Sequence, residues 1–210
     1  MSKKTHFKYI LAIDCETTGL CFGVDHPTHN EKTGEKHQAL SWGFIVCDSV
    51  TLEPIEKLYL EVKWNDESIE QRVDNSNFGT YAEKIHGLSI EYLEEHGITE
   101  EDAVVELLNM LGKYWGPDTP ICLLGHNVVT FDMWFLKQMT RNIGIELKFG
   151  NRHVDTFGLG KCTIGSFDSN ELFEMLALPE RDKHNAMEDI EMTLESASRI
   201  KTIFELGLGG

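Results

Sequence analysis

The feature that most constrains this chain is a change of apolar period partway along it. In the first third, short β-rich runs at residues 9–13, 40–47 and 55–62 read as strands, the last with clear alternation. From residue 89 the spacing becomes helical, over 89–95, 99–114, 131–143, 169–176 and 185–204. Brief apolar runs at 121–124 and 153–156 interrupt these helices as strands. Thr99 with Asp102 is a helix-start pair, and Val104, Leu107, Leu108 and Leu111 form a stripe at helical spacing. Strands first, then helices and strands in alternation, predict an α/β fold with a mixed five-stranded sheet flanked by helices. At 210 residues and 41% hydrophobic content, one domain over 1–205 is expected, followed by a Gly-rich tail at 206–210.

Charge narrows the function. Nineteen Lys and Arg stand against 35 Asp and Glu, a formal net charge of −16. A protein that coats nucleic acid through a broad basic face carries the opposite excess, so that class is excluded; an enzyme with a small site is not. The acids are densest over residues 91–106, seven without one Lys or Arg, a surface that repels long polyanions. Five scattered cysteines, an odd number, read as reduced thiols in a cytoplasmic protein, or one in host cytoplasm if phage-encoded. The apolar stretch near the N-terminus meets Asp14 too soon for a signal peptide, and no membrane segment is expected.

The chemistry is carried by three clusters. Asp14 and Glu16 are two apart at the end of the first strand, where a period of two puts both carboxylates on one face. An isolated pair of this kind also reads as a solvated strand end. Asp132 falls in the first turn of a helix, where the local positive field by itself favours an acid. In His184-Asn185-Ala186-Met187-Glu188-Asp189, Asn185 and Glu188 form a capping pair, which leaves His184 on the preceding loop and Asp189 in the first helical turn. A loop histidine can reach a centre that Asp189 ligates and can still exchange a proton.

Four carboxylates and a histidine suit hard cations such as Mg²⁺ or Mn²⁺, and the scarcity of paired Cys and His argues against structural zinc. Two such ions about 4 Å apart bind a phosphodiester, activate water and neutralise the leaving oxygen. A neutral histidine near its reference pKa of about 6.5 can take the proton from that water.

These residues resemble the motifs of the DEDDh exonucleases of the ribonuclease H-like fold, a family that includes the proofreading subunit of bacterial replicative polymerase, oligoribonuclease and ribonuclease T. The matching segments are Ile13-Asp14-Cys15-Glu16-Thr17-Thr18-Gly19-Leu20, Gly125-His126-Asn127 through Phe131-Asp132, and His184 to Asp189. Lys84-Ile85-His86-Gly87-Leu88 and Val154-Asp155-Thr156 resemble secondary features of the family. The resemblance implies that Asp14, Glu16, Asp132 and Asp189 hold two divalent cations, with Asp14 bridging, and that His184 is the general base. It implies attack on the last phosphodiester of a single-stranded 3′ end with release of nucleoside 5′-monophosphates. Thr17 and Leu20 match positions that contact the terminal nucleotide, Leu20 as an apolar wedge. His86 and Phe131 are candidates for the same pocket, with core packing the alternative for Phe131.

DNA or frayed DNA ends are the favoured substrate and short RNA the alternative; a polymerase or replication protein is a candidate partner. A non-catalytic binding module would be expected to have lost a ligand or the histidine, and a two-carboxylate glycosidase would leave the other acids unexplained. The long loop at 21–38 carries Cys21, His26, His29 and His37 and reads as substrate-facing, with zinc binding the lesser alternative. Lys137, Arg141, Lys148, Arg152 and Lys161 are candidates for a strand-tracking groove, or for a solvated face.

Overall fold

A computed structural model describes residues 7–20, 29–30, 34–180 and 184–208. In chain order the elements are β1 (Tyr9–Thr17), β2 (His29–Asn30), β3 (Glu35–Lys36), β4 (Ala39–Asp48), β5 (Pro54–Glu61), α1 (Asp66–Asp74), α2 (Thr80–His86), α3 (Ile90–His96), α4 (Glu100–Leu111), β6 (Leu123–Gly125), α5 (Asp132–Asn142), β7 (Val154–Asp155), α6 (Thr156–Ile164), α7 (Ser169–Met175) and α8 (Ala186–Leu208). Five strands form the expected mixed sheet in the order β5-β4-β1-β6-β7. β1 runs antiparallel to β4 and parallel to β6, and β2 and β3 make a separate small hairpin.

The side-chain alternation of β1 sorts its residues between two cores. Leu11, Ile13 and Cys15 face a layer containing Val104 and Leu107 of α4 and Phe135 and Leu136 of α5. Ile10 and Ala12 face Ile190, Leu194 and Ala197 of α8. By the same alternation Asp14 and Glu16 fall on the α8 side, so one helix covers the apolar start of β1 and reaches the acids at its end. β4 is buried on both faces, which explains its nearly unbroken apolar sequence.

Several boundaries differ from the sequence reading. β1 does not turn at residue 13 but continues to Thr17, because pairing with β4 satisfies its backbone through Thr17↔Ala39. α8 runs to Leu208 instead of ending at 204, so the segment expected as a tail is mostly helical, and 209–210 lie outside the described residues. One glycine there, Gly207, costs only about 1 kcal/mol, and the Lys201–Glu205 pair at 2.9 Å supports the turn before it. α4 stops at Leu111, where Gly112 caps it by donating to the Leu108 carbonyl. Three helices had no apolar stripe to announce them: α1 buries only Ser68, α2 starts from Gly79 at φ 73°, and α6 carries internal glycines. Among the described residues no helix is long and apolar enough to cross a membrane.

Candidate active site

The C-terminal end of β1 is where the three acidic segments meet. Ligand atoms of Glu16, His184 and Asp189 all lie within 4.8 Å of one another. As the capping pair predicts, the Asn185 side chain accepts from the N–H groups of Met187 and Glu188 at 3.0 and 3.2 Å, which starts α8 and leaves His184 outside it. His184 Nδ1 lies 3.3 Å from Asp189 Oδ2. With Nδ1–H donating to that carboxylate, Nε2 is the ring nitrogen that carries the lone pair.

Asp132 arrives from the other layer. Its carboxylate accepts from the Cys15 N–H at 3.1 Å, so α5 is pinned to β1 between Asp14 and Glu16. The residue is only 2% exposed, and burial pushes its carboxyl pKa up to about 7. Helix-field complementarity alone does not account for an acid so deeply placed. Asp14 is half-buried on the same strand, paired across the ladder with Gly43. Glu16 and Asp189 with His184 are the ligand atoms that lie together, while Asp14 and Asp132 adjoin them through β1; a cation there would favour the ionised form of the buried acid. The donors are oxygens with one imidazole, which favours Mg²⁺ or Mn²⁺ over a thiophilic metal.

Gly43 was not singled out by sequence reasoning, yet it permits this assembly. A Cβ there would lie 2.3 Å from the Ala186 carbonyl oxygen. The first residue of α8 therefore rests directly on β4, opposite Asp14.

A cavity of about 600 Å³ opens beside the acids and includes all four expected nucleotide-contacting residues, Thr17, Leu20, His86 and Phe131. Leu20 is 59% exposed, as a wedge would be. The Thr17 hydroxyl donates to the Gly19 carbonyl at 2.9 Å, so it shapes the turn that presents Leu20. His86 accepts from the Leu88 N–H through Nδ1 at 3.0 Å, which makes Nε2 the protonated nitrogen facing the Thr17 carbonyl at 3.2 Å. Burial lowers its pKa, in keeping with a neutral ring. Phe131 both lines the cavity and packs on the core, its ring 5.0 Å from that of Phe135.

The remaining motifs are braces. Asn127, at φ 59°, turns the chain after β6, and its N–H donates to Asp155 at 2.8 Å. The same Asp155 oxygen caps α6 at the Phe157 N–H. For the proposed zinc set, Cys21 and His26 lie outside the described residues; His37 instead bonds Thr18 at 3.1 Å and stacks on Phe78. Each of the five basic residues has a local contact of its own. Lys148 bonds Asp118, and its carbonyl accepts from Ile121 at the entry to β6, the end of the sheet away from the acids. Arg152 lies over Phe7 at that same end, while Arg141 pairs with Glu146 at 2.6 Å. Lys137 sits over Trp134, and Lys161 bonds the Gly165 carbonyl.

A mixed sheet in this order, with acids at the end of its central strand and further acids delivered by helices from both faces, defines a protein of the ribonuclease H-like α/β class with a carboxylate-rich site. Residues 11–196 match the family model RNase_T, described as exonuclease, and the chain belongs to that family. Similar solved structures include Escherichia coli exonuclease I in complex with a dT13 oligonucleotide, with 18% identity, 93% of this chain and 41% of that one covered, and TM-score 0.71. The nuclease domain of 3′hExo, a DEDDh family member bound to rAMP, gives 14% identity, 94% coverage of both chains and TM-score 0.66. An exonuclease I from Methylocaldum szegediense gives 18% identity, 92% and 40% coverage, and TM-score 0.65. This chain thus spans about two-fifths of the exonuclease I chains and nearly all of the 3′hExo nuclease domain. No curated protein matches the sequence.

Proposed function

We propose that this protein is a metal-dependent 3′–5′ exonuclease that removes nucleoside 5′-monophosphates from single-stranded DNA. The observation that carries the reading is the meeting of Glu16, His184 and Asp189 within 4.8 Å beside the cavity that holds Thr17 and Leu20. Asp14, Glu16, Asp132 and Asp189 are the residues that would hold two divalent ions, Mg²⁺ or Mn²⁺. When bound, the ions would supply an activated water and charge neutralisation at the leaving oxygen. His184 accepts the water's proton on Nε2, while Asp189 orients the ring through Nδ1 and stabilises the imidazolium that forms. The Thr17–Leu20 turn, buttressed by His86 and Phe131, receives the terminal nucleoside and sets the last phosphodiester at the acids. Leu20 and Phe131 offer apolar surface to a base, a contact that does not depend on sequence. The net charge of −16 leaves the chain without a broad grip on polyanions, so engagement is through the 3′ end itself.

The dT13 complex of exonuclease I supports single-stranded DNA as substrate, and the rAMP complex of 3′hExo supports short RNA as the second reading. Digestion of 5′-labelled DNA and RNA strands of several lengths with Mg²⁺ or Mn²⁺, beside a chelator control, tests both. A DNA ladder from the 3′ end, lost with chelator and with Asp14→Ala, is expected. A ladder from RNA alone would overturn the DNA preference, and internal cuts would refute an exonuclease.

A further inference from the structure

Residues directly opposite one another on neighbouring strands point their side chains to the same face of the sheet. Asp14, Gly43 and Tyr59 make such a row across β1, β4 and β5, and Glu16, Ser41 and Glu61 make the next. α8 covers this face, with Ala186 seated on Gly43 and Asn185 bonded to Tyr59. The first row therefore has an acid of the site on one side, a gap in the middle that admits Ala186, and a tyrosine on the other side.

The start of α8 carries both His184 and Asp189, so its place over the row matters. Gly43 fixes how closely the helix start approaches the sheet, but a bare backbone offers nothing to hold it sideways. Tyr59 supplies that hold. Asn185 Nδ2 donates to Tyr59 Oη at 3.3 Å, and Tyr59 Oη donates to Glu61 Oε1 at 2.9 Å. Tyr92 of α3 donates to the same Glu61 oxygen at 3.3 Å, so the final acceptor is itself held from another element.

The relay can run in one direction only. Asn185 Oδ1 faces the N–H groups of Met187 and Glu188, which leaves the amide nitrogen to face Tyr59. A phenol has one proton, and once it is given to a carboxylate the oxygen is left to accept from the amide. Burial and the Glu61 carboxylate raise the Tyr59 pKa, so the hydroxyl keeps that proton. Both ends of the Asn185 amide are thus engaged, one with α8 and one with β5. The other tie between β5 and α8, Lys57 with Glu191 at 2.7 Å, lies beyond Asp189 along the helix and joins two exposed side chains.

Resting on the exonuclease reading above, we propose that Tyr59 is a positioning residue of the active site: through Asn185 it sets the place of His184, and Glu61 holds Tyr59 in turn. Neither Tyr59 nor Glu61 lines the cavity, so both act through the loop histidine and not on the substrate.

Tyr59→Phe keeps the ring and removes the hydroxyl; Asn185→Ser keeps a good N-cap and removes the amide donor. Each should lower kcat for mononucleotide release about five-fold, the effect of one neutral hydrogen bond, with KM and melting near wild type. The double variant should lose no more than either alone, because the two groups act as one unit. In a His184→Gln background Tyr59→Phe should cost nothing further, and Lys57→Met should leave kcat unchanged. The His184 Cε1–H NMR signal of metal-free protein, identified among the nine histidines by its loss in His184→Gln, should shift in Tyr59→Phe. The same loss from Tyr59→Phe with and without His184, an equal loss from Lys57→Met, or an unmoved His184 signal overturns the proposal. A wild-type chain that hydrolyses no strand, yet shows the shifted signal in Tyr59→Phe, refutes the exonuclease and supports the brace.

Discussion

Replacing Gly43 with alanine tests whether the site depends on the seating of α8 on β4. The added Cβ would stand 2.3 Å from the Ala186 oxygen and 2.6 Å from its carbonyl carbon, and 2.9 Å from Ile190 Cγ2. Ordinary contacts start near 3.4 Å, so the helix start must retreat by about 1 Å. The first two obstacles are backbone atoms, and no rotamer change moves them. Asp189 and His184 flank Ala186 in sequence and move with it, away from Glu16 and Asp14 on β1. A displacement of about 1 Å costs on the order of 100-fold in rate, while overpacking costs about 1–3 kcal/mol of stability. Gly43→Ala should therefore remain folded at 25 °C, with kcat/KM for mononucleotide release about 100-fold down and weakened Mn²⁺ binding. Initial rates on a 5′-labelled oligonucleotide, corrected by a melting curve, give the first number, and calorimetry gives the second. A folded Gly43→Ala protein with wild-type rate and Mn²⁺ affinity would refute the reasoning.

His184→Gln should lower kcat steeply while Mn²⁺ binding persists through the carboxylates; an unchanged kcat in the linear range would remove His184 as the base. The buried Asp132 carboxyl, raised to about 7 without metal, binds its proton more tightly in the folded than in the unfolded chain. Its contribution is therefore greatest below the unfolded value of about 3.9 and falls as pH rises toward 7. Thermal melting of metal-free protein should show Asp132→Asn losing that part of the pH dependence, and metal uptake at pH 6 should release protons, seen as a dependence of calorimetric heat on the buffer. Lys148→Ala should leave nucleotide release within two-fold of wild type, since the residue sits at the end of the sheet away from the acids and an exposed ion pair is worth about 0–1 kcal/mol. Phe135→Ala should cost about 3–5 kcal/mol in chemical denaturation by opening a hole beneath β1.

The sequence was most informative where function is encoded locally. The two-residue spacing of Asp14 and Glu16 put them on one strand face, and the Asn185–Glu188 cap put His184 on a loop and Asp189 in the first turn. Both rest on backbone geometry that a few neighbouring residues specify. The five strands were legible from their apolar runs, but α1, α2 and α6 were not, because helices with few buried side chains leave no periodic trace.

What the sequence by itself determined, then, was an α/β chain with four acids and a histidine in three ordered motifs. Only the tertiary structure decided how these are joined. It showed that Asp132 is held by the Cys15 N–H 117 residues away. It showed that a missing side chain at Gly43 lets α8 come close enough to deliver His184 and Asp189. It also gave the basic residues of 137–161, contiguous enough in sequence to suggest a groove, local partners of their own, with Lys148 and Arg152 at the end of the sheet away from the acids. The physical reason is the same in each case: hydrogen bonds, close approach and burial depend on distances between segments, and a chain's order along itself does not contain those distances.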